Sequence, residues 1–330
     1  FGSSFLLSSA GMSVPIFLGV WWVVLVGLQG GLVYGAVNMS GCQEGGGLAE
    51  YPWYLLLISG GVAFAAAATE AMMLDGRSCC TPILAIVTFI NIFDVATDSL
   101  GFGQILASKS CGDDTLEQAW QQALQQSDFA INVPLSELAI WIWIVSGIQF
   151  VIALLCMFYG CFSGDENPAI LASEADLLGF ENLPVEKIDE ACKYTSQERA
   201  IRQQRSAVKV ICRLLCETLP QLHLQLSTLA LSLALEGLNL ASGQLFASVA
   251  FSLMLVFLKL PDLWNITVLS CTIACDHDFW IGGRSIMAFL LISATVAVLC
   301  LEAAAFVKFG AIFKCQQHVW NFNGCVEISM

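Results

Sequence analysis

Charged residues are scarce in this sequence. Only 12% of its 330 residues are Asp, Glu, Lys or Arg, and 57% are hydrophobic, whereas soluble domains carry about 25% charged residues. The alternating period of a membrane β-barrel is also missing. Apolar segments of about 20 residues recur instead, and each is long enough to cross a bilayer as a helix. The composition therefore predicts an all-α polytopic membrane protein.

Basic residues and catalytic motifs are few as well. There are 13 Lys and Arg against 27 Asp and Glu, a net charge of −14, which argues against a nucleic-acid partner. The sequence has three His and none of the common hydrolase, P-loop or zinc-protease signatures. The cysteine pairs at 212 and 216 and at 271 and 275 lack the usual zinc spacing. We predict that the chain is not an enzyme and that it holds no metal or cofactor.

The apolar segments predict seven transmembrane helices and a possible re-entrant or interfacial piece at 266–275. The predicted spans are 15–37, 53–73, 82–105, 138–162, 207–235, 244–264 and 285–307. The chain then divides into four parts: helices 1–4 within 1–162, with an outer loop helix near 113–126; an acidic cytoplasmic loop with short helices at 163–205; helices 5–7 within 206–308; and a short tail at 309–330.

The distribution of Lys and Arg predicts the orientation. Five of them fall in the loop 163–205, and basic loops face the cytoplasm. In that topology four cysteines lie on the outer or lumenal side, where oxidising conditions favour disulfides. These are Cys42, Cys111, Cys315 and Cys325. They predict up to two disulfides, whose pairing the sequence leaves open.

The third predicted span carries a polar stripe. Asn91, Asp94 and Asp98 are spaced i, i+3 and i+7, so they share one face of a helix. A carboxylate at membrane depth costs about 2.5–3.5 kcal/mol on insertion scales. Two carboxylates on one face therefore require polar partners or water.

A second polar stripe follows the fifth predicted span. Glu217, Gln221 and Gln225 recur every four residues, which again places them on one helix face. Pro220 removes a backbone donor and predicts a kink. The two stripes can face each other across a hydrated path, or they can join helices through protonated carboxyls and hydrogen bonds. The sequence leaves both interpretations open.

Three segments resemble the XK-related membrane proteins. The stretch RLLCETLPQLHLQL at 213–226 is similar to the E-[ST]-x-P-Q-L-x-L-Q-L stretch of that family. The segment 247–264, ASVAFSLMLVFLKLPDLW, resembles the family's Ser- and Leu-rich helix, and FDVATD at 93–98 resembles its D-x-x-[ST]-D segment. The likeness covers about a third of the chain, mainly 205–264.

The resemblance implies passive phospholipid scrambling, or a non-scrambling relative with the same fold. Membrane phospholipids would then be the partners, and Asp94, Asp98, Glu217 and Gln221 would line a polar track. Two other functions stay open. The small residues of GGVAFAAAATEAMM at 60–73 suit an accessory subunit packed against other membrane subunits. Asp94 and Glu217 suit a proton or cation conduit.

Overall fold

The computed structural model describes residues 4–42, 47–73, 81–112, 114–126, 133–163, 210–275, 284–314, 318–321 and 324–327. Numbered along these residues, the helices are α1 (Ser4–Met39), α2 (Trp53–Met73), α3 (Thr81–Ser110), α4 (Thr115–Gln126), α5 (Leu135–Ser163), α6 (Leu219–Glu236), α7 (Leu240–Leu258), α8 (Leu260–Cys275) and α9 (Arg284–Lys314). A π-helical segment, Leu214–Thr218, directly precedes α6. Strands β1 (His318–Asn321) and β2 (Gly324–Glu327) form a short antiparallel hairpin.

The predicted helical class is confirmed for the described residues, which are nearly all helical. Three stretches are long and apolar enough to cross a membrane: Ala85–Ser110, Leu240–Val268 and Ala288–Ile312. Shorter apolar helical stretches cover Val23–Met39, Trp53–Thr69 and Leu135–Ile148. The fold is thus compatible with a membrane protein, and the count of seven spans stays a prediction.

The structure describes two further segments that the sequence singles out, one at 266–275 and one near 113–126. The segment 266–275 forms the second half of α8, and α8 follows α7 with only Lys259 between them. Pro261 stands in the first turn of α8, where its missing N–H would have no intrahelical acceptor. The predicted loop helix near 113–126 is present as α4. The loop 163–205 lies outside the described residues, apart from Ser163.

Two helices organise the packing. Helix α3 contacts α1, α2 and α7, and helix α6 contacts α4, α5, α7 and α9. The largest fully buried side chains of α6 are leucines on several of its faces: Leu219, Leu222, Leu226, Leu229 and Leu231. A helix whose large side chains are buried on several faces is surrounded by other elements. The polar side chains of α3, α6 and α7 are therefore held at the centre of the bundle.

A disulfide joins Cys42, after α1, to Cys111, after α3. Their Cα atoms are 5.7 Å apart, which is within the range that a disulfide bridges. One of the predicted disulfides is therefore present. Cys325 lies in β2 and Cys315 lies outside the described residues, so the second pairing stays a prediction. We refer to this end of the molecule as the disulfide end.

The short loop before α2 is pinned to the disulfide end by buried side chains. The amide side chain of Gln244 on α7 donates to the Tyr51 carbonyl at 2.9 Å and accepts from the Tyr51 N–H at 3.3 Å. Gln104 on α3 donates to the Gln244 side-chain oxygen at 3.1 Å. The Ala49 N–H donates to the Ser108 hydroxyl at 2.8 Å. Burial also raises the pKa of the Tyr51 phenol.

Candidate functional site

The two carboxylates of the α3 stripe face the interior of the bundle. Asp94 is 3% exposed and Asn91 is fully buried, whereas Asp98 is half-buried. Both aspartates meet α7, where Ser248 and Ser252 occupy successive turns. The Ser252 hydroxyl lies 2.8 Å from Asp94 Oδ1, and the Ser248 hydroxyl lies 3.3 Å from Asp98 Oδ1. Each of the two carboxylates thus has a hydroxyl donor on α7.

Gln225 brings α6 into the same group of side chains. Its Nε2 donates a hydrogen bond to Asp98 Oδ1 and lies 3.3 Å from the Ser248 hydroxyl oxygen. Its Oε1 lies 3.2 Å from the Ser252 hydroxyl. Asp94, Asp98, Gln225, Ser248 and Ser252 therefore form one hydrogen-bonded group, which we call the polar cluster. It sits where α3, α6 and α7 meet.

The polar cluster contains two acids and three neutral donors. The Asp94 and Asp98 carboxylates accept hydrogen bonds from the hydroxyls of Ser252 and Ser248 and from the amide of Gln225. Like charges held close together in a low-dielectric interior repel each other. This arrangement can hold a proton or a small cation, and it can also simply join three helices.

A cavity of about 40 Å³ adjoins the polar cluster on the side of α1 and α5. That volume exceeds the roughly 10–15 Å³ that one water molecule requires. The lining comes from α1, α3, α5, the π-helical segment and α6, through Gln29, Val95, Asp98, Ser99, Trp143, Ser146, Gly147, Glu217 and Gln221. Because Asp98 belongs to both the cluster and the lining, a water in the cavity can reach the Asp98 side of the polar cluster.

The π-helical segment places Glu217 in the cavity wall. Glu217 lies 3.6 Å from the Arg213 guanidinium, one turn earlier. Its Oε2 is buried and accepts no hydrogen bond from the described residues. Gln221, one turn later, donates to the Ser146 hydroxyl of α5 at 3.1 Å. In the second polar stripe, Glu217 and Gln221 therefore face the cavity, and Gln225 belongs to the polar cluster.

The backbone is irregular directly before Pro220. The Leu219 N–H donates to the Leu214 carbonyl, a bond spanning five residues rather than four. Such π-helical turns are rare and occur often at functional sites. Pro220 is the second residue of α6, where it cannot donate to the preceding turn. The irregularity thus lies where the sequence predicts a kink, and the kink itself stays a prediction.

The structure brings together most of the residues that the sequence singles out. Asp94, Asp98 and Gln225 meet in the polar cluster, and Glu217 and Gln221 meet Asp98 at the cavity. Asn91 is buried on the same face of α3, one turn before Asp94. The two stripes therefore share one polar region.

Sequence reasoning missed the α7 contribution. Gln244, Ser248 and Ser252 are spaced i, i+4 and i+8, a third polar stripe that indicates one helix face. Ser146 on α5 carries no such periodic signal. In the described parts of the chain, no three His, Cys, Asp or Glu side chains are grouped as metal ligands.

Comparison of the chain with protein-family models, with curated proteins and with solved structures finds no match.

Proposed function

We propose that this chain is an integral membrane protein with seven transmembrane helices that passively moves phospholipid between leaflets. The resemblance of 213–226 to the XK-related proteins supports this function. The membrane location is supported by the outer surface of the bundle, on which large apolar side chains are exposed: Leu57, Phe64, Trp141, Phe257, Phe289 and Val307. A surface of this kind is stable against acyl chains and not in water.

One observation carries the proposal: Asp98, Glu217 and Gln221, from two predicted spans, line one cavity. A lipid headgroup that crosses the hydrocarbon region needs polar partners along its route, because transfer of a charged group into an apolar medium costs several kcal/mol or more. The cavity of about 40 Å³ admits water and is smaller than a headgroup. Lipid transfer in this proposal therefore requires α1 and α5 to separate from α3.

The test is lipid exchange in liposomes. Purified protein is reconstituted with a fluorescent phospholipid, and a membrane-impermeant reductant reports the fraction of label that reaches the outer leaflet. We expect exchange faster than in protein-free vesicles, and slower exchange for E217Q, which keeps the side-chain volume while removing the charge. S110A is the matched control, because the Ser110 hydroxyl bonds only within its own helix among the described residues. Wild-type exchange equal to that of empty vesicles would overturn the proposal, and stoichiometric copurifying membrane proteins would then favour an accessory subunit.

A proton or cation conduit is the second candidate, and the volume of the cavity favours it. Water in a space of about 40 Å³ beside Asp98 and Glu217 can carry protons between carboxylates. The same vesicles, loaded with a pH-sensitive dye, separate the two functions. A conduit predicts a proton flux that D94N abolishes while lipid exchange stays at the level of empty vesicles.

A further inference from the structure

Helices α6 and α9 are joined by a second polar group, separate from the cavity. Lys308 on α9 donates a hydrogen bond to the Ser227 hydroxyl, and its Nζ lies 3.4 Å from the His223 carbonyl. His223 Nε2 lies 3.2 Å from the Leu301 carbonyl. A carbonyl oxygen only accepts, so Nε2 carries the proton. Three interhelical hydrogen bonds thus hold His223, Ser227 and Lys308 together where α6 meets α9, a contact that we call the seam.

The charge of Lys308 is not neutralised within the described residues. Both acceptors of its ammonium group, a hydroxyl and a backbone carbonyl, are neutral, and no described carboxylate lies within 4 Å of its Nζ. An ammonium has three N–H donors, so one remains without an acceptor in these parts of the chain. A lysine within an apolar helix is stabilised by an anion, by backbone carbonyls or by access to water at the membrane surface, and a phosphate would add the anion that the described residues do not supply.

The seam lies on the perimeter of the bundle. Only 28% of the apolar stretch of α9 is buried, against 56% for the corresponding stretches of α3 and of α7 with α8. Phe306 and Val307, beside Lys308, are 42% and 62% exposed. Lys308 lies six residues before Lys314, where α9 ends, which is about 9 Å along a helix. Its ammonium is therefore close to the depth at which headgroup phosphates lie.

We propose that the seam formed by His223, Ser227 and Lys308 binds the phosphate of an anionic glycerophospholipid. The ammonium of Lys308 supplies the positive charge, and the exposed side chains of α9 receive the acyl chains. An anionic lipid is favoured over a zwitterionic one because the latter carries its own cation beside the phosphate. This site rests on the proposed function in one respect only: the chain must span a membrane. It does not require that the chain moves lipid between leaflets.

The experiment measures thermal unfolding of the purified protein in neutral detergent. Three additives are titrated: dioleoyl phosphatidylglycerol, dioleoyl phosphatidylcholine and inorganic phosphate. Phosphatidylglycerol is expected to raise the unfolding temperature of the wild type and of K308R. For K308Q we expect an apparent affinity about tenfold lower, the scale of one lost charge-assisted hydrogen bond. K109Q is the matched control, since Lys109 also donates to a serine hydroxyl, at 2.7 Å from Ser136, but is exposed.

The outcomes separate this site from a structural contact and from a free anion site. If K308Q unfolds earlier but keeps the wild-type response to phosphatidylglycerol, Lys308 only joins the helices and the proposal is wrong. An equal response to inorganic phosphate would also overturn it, in favour of a site for free anions. A photoreactive phosphatidylglycerol tests the wild type without any variant. Crosslinks in 223–227 or 301–308 are expected, and crosslinks confined to other segments would contradict the proposal.

Discussion

The Gln225 side chain donates a hydrogen bond to the Asp98 carboxylate across 127 positions of sequence. The same amide lies 3.3 Å from the Ser248 hydroxyl, so one side chain of α6 bonds to both α3 and α7. Hydrophobic attraction between helices is absent in lipid, where packing and interhelical hydrogen bonds drive association. We therefore expect the polar cluster to contribute to the stability of the bundle.

Replacement of Ser252 by Ala is expected to destabilise the protein by about 1–3 kcal/mol, because it leaves the buried Asp94 carboxylate without its hydroxyl donor. The measurement is the free energy of unfolding by SDS titration in mixed micelles. S110A serves as the control and should change this free energy little, since the Ser110 side chain is exposed and bonds within its own helix. Equal stability of S252A and S110A would show that the polar cluster does not stabilise the fold.

Replacement of Gln244 by Leu is expected to release the loop before α2. The Tyr51 N–H would lose its acceptor on α7, and its hydrogen exchange should accelerate. The Ala49 N–H, which donates to Ser108, is an internal reference and should stay protected. The reciprocal variant S108A should accelerate exchange at Ala49 and leave Tyr51 protected. Exchange measured by mass spectrometry of short peptides distinguishes the two patterns, and unchanged exchange at Tyr51 in Q244L would contradict the prediction.

Loss of the disulfide is expected to lower stability. The bridge closes a sequence separation of 69 residues, and the chain-entropy relation gives about 4 kcal/mol for a loop of that length. The measurement compares C42S and C111S with the wild type by thermal unfolding, and gel mobility without reductant confirms the bridge. C300S is the control, because Cys300 is a free, exposed thiol. A similar shift for C300S would point to a general effect of the substitution.

Replacement of Gly47 by Ala is expected to cost about 1–3 kcal/mol. Gly47 has φ +111°, a conformation that side chains disfavour, and an added Cβ would lie 0.9 Å from Glu236 Oε1. Glu236 would have to move away from the position in which it accepts from Asn239. G61A is the control: Gly61 is helical with open space around it, and alanine there should leave stability unchanged or raise it by up to about 1 kcal/mol. Thermal unfolding of both variants in one detergent checks the difference.

The positions of the helices could be predicted from the sequence because membrane-length apolar segments are a strong signal. Helix α2 has the bounds of the second predicted span, 53–73, and α5, Leu135–Ser163, extends the predicted span 138–162 by a few residues. The aspartates of α3 and Gln225 were found for a similar reason, since intramembrane polar groups are rare and costly.

The partners of these residues could not be predicted. Serine in an apolar helix commonly bonds to the carbonyl one turn earlier, as Ser146 and Ser227 do here, so the periodic spacing of Ser248 and Ser252 does not by itself indicate which helix they bond to. The pairing of Gln244 with Tyr51 joins residues 193 positions apart, and only the tertiary arrangement determines it. The π-helical segment has no periodic signature either, because five residues are too few to show a changed period.

The π-helical segment Leu214–Thr218 also determines which face of the helix each preceding residue occupies. A π turn accommodates one residue more than an α turn, and each residue of an α-helix turns the chain by about 100°. Deleting a single residue between Leu214 and Thr218 would let regular winding resume with Arg213 on nearly the same face of the helix, whereas inserting one would turn Arg213 by about 100°, away from the line that Gln221 and Gln225 follow. Insertions here should consequently be tolerated far less well than a deletion of one residue.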